Sequence, residues 1–177
     1  NLNESKPIHI KVDNSLALKE IKIAKEVIKF DKIINVPVMK VHYATGVTLA
    51  MKNLKGLLVG EEKRHFHEIG LDKAIVDLNS IIKTHLNIID CIACMEKMGP
   101  RGGNIVNLNA IIAGENIAEV DYIGLQIMNY SLDEVKHLKY FIEKNNINLN
   151  NIEIAGESIK SVAHPFVKVN MENIIHD

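Results

Sequence analysis

The chain has 177 residues, 47% of them hydrophobic and 24% charged, with a formal net charge of -1. That is the size of one domain with its own core, and the balance excludes a general attraction to nucleic acid or to acidic membranes. No apolar run approaches the ~20 residues that span a bilayer, no signal-peptide pattern opens the chain, and two cysteines are too few for a disulfide framework. A cytoplasmic protein is expected, with no membrane and no nucleic-acid partner.

In chain order, "PIHIKV" (Pro7 to Val12) alternates like a strand. From Leu18 to Phe30 the apolar residues Leu18, Ile21, Ala24, Val27 and Ile28 fall at helical spacing. "KIINVPV" reads as a short buried strand ended by Pro37. Val47 to Leu58 reads as a helix whose apolar stripe includes Met51, Leu54 and Leu58, and Gly70 to His85 as the clearest helix in the chain. "LNIIDCI" and "LNAIIAG" have strand length, Ile117 to Tyr130 and Leu132 to Asn145 are two further helices, "IEIAG" is a last strand, and "AHPFVKV" is an extended tail. There is no internal repeat and no dividing linker, so residues 1–177 are read as a single α/β domain. Its expected sheet is mainly parallel, with helices on both faces in three layers. Ligands of such sheets collect beyond the carboxyl ends of the strands, and "INVPVMKVH" runs off such an end.

The segment that follows, "KVHYATGVTLAMKNLKG" (Lys40 to Gly56), invites comparison with a phosphate-binding loop. That loop needs G-x-x-x-x-G-K-[ST]; here Met51 replaces the second glycine and Asn53 the hydroxyl. The P-loop reading therefore fails, but an electrostatic one survives. Between Lys40 and His67 there are five Lys/Arg against two Glu, a local excess of +3, together with His42, His65 and His67. Helical spacing puts Thr48, Lys52 and Lys55 on one face, and a helix N-terminus with free amides beside lysines suits an anion. A solvated helix face is the ordinary reading of any two lysines; a cluster of Lys and His after a strand end points to a site.

"INVPVMKVHYATGVTLAMKNLKGLL", "KRHFH", "AIVDLNSII" and "LNIIDCIACMEKMGPRGG", continued by "AIIAGENIAEVDYIGLQIM" and "IEIAGE", resemble in order the proteins grouped as domain of unknown function 362. The resemblance spans Phe30 to Glu157 and is similar to the C-terminal portion of that family. It implies a further N-terminal α/β portion, so the chain is expected to be a piece of a longer protein. Matching positions are Lys40, His42, Thr48, Lys52, Asn53, Gly56, Lys63, His67, Asp90, Gly99, Pro100, Gly103 and Asp121. The family implies no agreed activity. Many members carry ferredoxin-type cysteine motifs, and the family is iron–sulfur-associated for that reason. A cluster needs four closely spaced cysteines, so no iron–sulfur cluster is expected in this chain.

Each candidate has a functional and a structural reading. His42 and His67 converge as an acid–base or metal pair, and Asp90 ends the strand that would face them; these three are the expected catalytic residues, the metal content being left open. Lys40, Thr48, Lys52, Asn53, Lys63, Gly99 and Gly103 are the expected ligand-binding residues, the glycines because a turn without side chains lets a ligand approach the backbone. Cys91 and Cys94 have redox spacing but read better as core. Asp121 borders a helix stripe and needs a partner, a backbone amide or a lysine. The expected function is an enzyme or cofactor-binding domain for a small anionic ligand, carboxylate or phosphate. The alternative is a non-catalytic ligand-binding or docking module for a redox protein partner that carries iron–sulfur clusters.

Overall fold

The computed structural model describes residues 2–169. Strand β1 (Pro7–Lys11) pairs antiparallel with β2 (Glu20–Ala24), with Ile10 opposite Ile21. The second of these strands replaces the helix expected from Leu18. Within that segment "EIKIA" also alternates, and Ile21 and Ile23 are fully buried between exposed Glu20 and Lys22. Pairing with β1 selects that period over the helical one. Only Lys25–Lys29 winds, as a 3-10 turn that buries Val27.

Two short segments follow, β3 (Ile34–Asn35) and β4 (Val38–His42), split at Pro37, which has no N–H to give. A tight turn returns the chain as β5 (Gly46–Thr48), antiparallel to β4. The helix expected over Val47 to Leu58 is thus shortened to α1 (Ala50–Asn53) and a 3-10 turn at Leu54–Leu57, while Val47 and Thr48 join the sheet. The expected stripe is nonetheless the buried one, Met51, Leu54 and Leu58 lying in the core.

Helices α2 (Glu62–Glu68) and α3 (Leu71–Ile81) lead into the long strand β6 (Leu86–Glu96). Short strands β7 (Asn104–Val106) and β8 (Ala110–Gly114) precede α4 (Ile117–Met128), α5 (Lys136–Asn145) and the single turn α6 (Ile159–Val162). Asn116 caps α4 by accepting from the amides of Ala118 and Glu119. The "IEIAG" segment forms no strand. It runs past β8 and α4 and lines with them a cleft of about 500 Å³.

The α/β class is borne out. Strand β6 is the axis of the sheet: β3 and β4 pair with it in parallel along one edge, and β8 and β7 pair antiparallel along the other. Asn87 is thus flanked by Asn35 and Gly114, and Asp90 by Val38 and Ile111. One face of the sheet carries the core. A Cβ on Gly124 of α4 would meet Leu49 and Ile89, which shows how closely α4 lies on that face. Side-chain amides extend the contact, since Asn53 at the surface donates to buried Asn35, and Asn35 donates to buried Asn87 and to the Ala50 carbonyl. On the other face, Ile34 (59%), Val38 (38%), Ile92 (51%) and Ile111 (61%) are exposed. The layer of helices expected over that face is not among the described residues.

Candidate functional site

The end of β4 sets the site. His42 is buried and stacks on Tyr43 with ring centroids 4.9 Å apart. Its Nδ1 accepts from the Ala44 amide at 3.1 Å, so the neutral ring carries its proton on Nε2. Burial lowers its pKa to about 3, helped by the charges of Lys52, His67, Lys55 and His137. His42 therefore reaches the site as a neutral donor rather than a ready base.

Lys52 on α1 and Lys55 one step further, in the 3-10 turn, stand three residues apart on the same side. Burial lowers both to about 8, with Lys55 and Lys40 adding repulsion at Lys52, and Lys63 at Lys55. The Lys55 ammonium donates to His67 Nε2 at 2.9 Å and to the Lys63 carbonyl at 3.3 Å, with the Phe66 ring centroid 5.9 Å away. Helix α2 supplies His67, whose pKa is lowered by desolvation and then by Lys55 and Lys52. Among the described residues none of Lys40, Lys52 and Lys55 forms an ion pair with a carboxylate.

The structure therefore gathers His42, His67, Lys52 and Lys55, with Lys40 and Lys63 beside them. It does not bring Asp90 there. Asp90 pairs with Val38, four residues before His42, about 13 Å along the strand. Its carboxylate accepts from the Ile92 amide, and its charge bears on Cys91 and Cys94 instead. Thr48 leaves the helix face expected for it and instead lies in β5 opposite Lys40, buried, with an unpartnered hydroxyl. Asn53 is held in the amide ladder to Asn35. The free helix amides expected to receive an anion are occupied, because Asp121 accepts from Ala50 N at 2.6 Å and Met51 N at 2.9 Å. That is the backbone-amide partner expected for Asp121, whose buried carboxyl is pushed up to about 7.

The glycine turn does clasp the end of β4, where Gly99 accepts from the Tyr43 amide at 3.3 Å. Its glycines serve packing between chain segments. A Cβ on Gly99 would lie 1.9 Å from the Val41 carbonyl oxygen, and one on Gly103 2.2 Å from that of Glu96. Cys91 and Cys94 are buried neighbours on β6, and the hydrogen bond with Cys94, followed by burial, pushes the Cys91 thiol up. Among the described residues, no three His, Cys, Asp or Glu side chains are grouped to hold a metal ion, so His42 and His67 have no third ligand of that kind.

The sequence reading missed His137. It is fully buried, its amide and Nδ1 both meet Asp72 Oδ1 at 3.1 Å, and its Nε2 is unpartnered. Sixty-five residues separate it from Asp72, and no local pattern marks such a pair.

Residues 1–126 match the family described as "Domain of unknown function (DUF362)". The chain belongs to the DUF362 family. The matched span begins earlier than Phe30 and ends within α4, so it occupies the N-terminal part of the chain. A "Thylakoid-associated protein sll1697" from Synechocystis sp. (strain ATCC 27184 / PCC 6803 / Kazusa) is 27% identical over 121 residues, covering 65% of this chain. The DUF362 chain described here spans 38% of that relative's length. No solved structure gives a significant match. Among the described residues no helix is long and apolar enough to cross a membrane.

Proposed function

We propose that the Lys/His cluster binds a small anionic ligand, a carboxylate or a phosphate, as part of an enzyme or a cofactor-binding domain. One observation carries this reading: Lys52 and Lys55 are held together, partly desolvated, with no carboxylate among the described residues to neutralise them. Like charges brought together out of water destabilise the fold, and a bound anion relieves that cost. Lys40 and Lys63 add to the same potential, and the Nε2–H of His42 is a neutral donor at its edge. A cleft of about 500 Å³ lies elsewhere, along β8 and α4, and has no lysine or histidine in its lining. We place the ligand by charge rather than by volume. Calorimetric titration with inorganic phosphate and with oxalate tests the reading: wild type should bind one of them, and the Lys52→Met, Lys55→Met double variant neither. Equal heats from both proteins would refute it.

The exposed apolar sheet face supports a second reading, a docking module. Parallel strands are ordinarily covered on both faces, and an apolar patch of this kind marks a contact surface. A third layer, from further polypeptide or from a redox protein partner, would complete the expected arrangement. If Ile111→Lys and Ile34→Lys leave every association of the protein intact, this reading fails.

A further inference from the structure

We propose that Lys55 is a nucleophilic amine that forms an imine with a small 2-oxo carboxylate, with His67 as its proton carrier. This rests on the anion-site reading, because the carboxylate of such a compound is what Lys52 would hold.

The geometry distinguishes Lys55 from its neighbours. Its Nζ lies 2.9 Å from His67 Nε2, within the reach of a general base, and a second N–H is directed at the Lys63 carbonyl. Nζ is thus held on two sides, with the Phe66 ring below. His67 itself is exposed and can exchange its proton with solvent. A lysine that is desolvated and set next to another cation is the arrangement that makes an amine nucleophilic near neutral pH. Lys55 meets that condition through its own burial and the neighbouring Lys63, which leaves Lys52 as the charge beside it. Lys52 has no such base among the described residues, so its role stays that of a charge.

The substrate class follows from the spacing. Side chains three residues apart on a helix have Cβ atoms about 5–6 Å apart. An oxo carbon at Lys55 then leaves the adjoining carboxylate beside the Lys52 ammonium, which a neutral aldehyde cannot exploit.

The chemistry balances without an oxidant. Lys55 gives up one proton through His67 to reach the free amine. Its lone pair then attacks the carbonyl carbon, and the C=O π pair moves onto oxygen. The proton shed by the attacking nitrogen passes through His67 Nε2 to that oxygen, giving a carbinolamine. The nitrogen lone pair forms C=N as the hydroxyl, protonated from His67, leaves as water, and the remaining N–H proton of the protonated imine returns to His67. Amine and ketone become imine and water.

Pyruvate with borohydride tests the proposal, since reduction fixes the imine as a stable secondary amine that peptide mass spectrometry can locate. Wild type should carry the adduct at Lys55 above every other lysine. Lys55→Arg keeps the charge and should carry none, and His67→Asn should form it about a hundredfold more slowly. Lys52→Met should slow labelling by pyruvate but not by acetaldehyde. An adduct spread over the exposed lysines in wild type, or no adduct, overturns the proposal without recourse to any variant. Phosphate calorimetry on the same preparation separates the two claims: phosphate binding without a Lys55 adduct sinks the imine and leaves the anion site standing. A Lys55 adduct without phosphate or oxalate binding does the reverse.

Discussion

His42 is a histidine that the fold keeps neutral. Its folded pKa of about 3 lies below the ordinary 6.5, so between these values the unfolded chain binds more protons than the folded one. Stability contributed here is present above pH 6.5 and is lost as pH falls toward 3. The His42 ring should show no protonation by NMR at pH 5, and His42→Gln should flatten the loss of stability between pH 6.5 and 4; titration near 6.5 would refute the assignment. Lys52 and Lys55 work in the opposite range. Folded values near 8 against 10.5 mean that the folded state is penalised below about pH 8 and recovers as pH rises to 10.5. Lys52→Met should therefore raise the thermal midpoint at pH 7 while weakening phosphate or oxalate binding by about 1.5–3 kcal/mol, the worth of a charged hydrogen bond. Loss of both stability and binding would mean that Lys52 is structural.

At the scale of elements, a single carboxylate holds the helix that carries the site. Asp121 on α4 receives the first two amides of α1, which at four residues is too short to stand alone. Burial and the two amides act on this carboxyl in opposite directions, and burial prevails in its raised pKa. Asp121→Ala should cost about 2–4 kcal/mol by leaving two buried donors unmade, read by denaturant unfolding. Asp121→Asn retains one acceptor and should cost less. Leu54→Asp should unfold the domain outright, because Leu54 is 3% exposed and an unpaired carboxylate there has no partner. A soluble, cooperative Leu54→Asp protein would contradict the packing of the 3-10 turn.

Across the whole molecule the asymmetry of the sheet is the main feature. Ile89 and Cys91 face the helices and are fully buried, while Ile111 and Ile34 on the other face stay in solvent. Ile111→Lys should change the stability of this chain by no more than about 0.5 kcal/mol and reduce its self-association at high concentration, whereas Ile89→Lys should abolish folding. Light scattering beside chemical denaturation would read both. Equal destabilisation by the two variants would show that something covers the open face in solution.

Local patterning alone marks which residues are buried in most elements. The spacing of apolar residues marks α3, α4 and α5 and the strands β6 and β8, and it marks Leu54 as core even though the helix around it is shorter than expected. It also placed the cluster of Lys and His after the end of β4, since charge excess and strand termination are local properties. Tertiary structure decided the rest. "EIKIA" fits either period, and only pairing with β1 makes it a strand; "GVT" joins the sheet because β4 lies beside it. Asp121 reaches α1 across 71 residues, Asp72 meets His137 across 65, and Asn35, Asn53 and Asn87 find one another from three separate elements. Asp90 was separated from the histidines for the same reason, because its position along β6 depends on strand register. Side-chain periodicity is set within a few residues, whereas backbone pairing and the partners of buried polar groups are set by which distant segments the fold brings together.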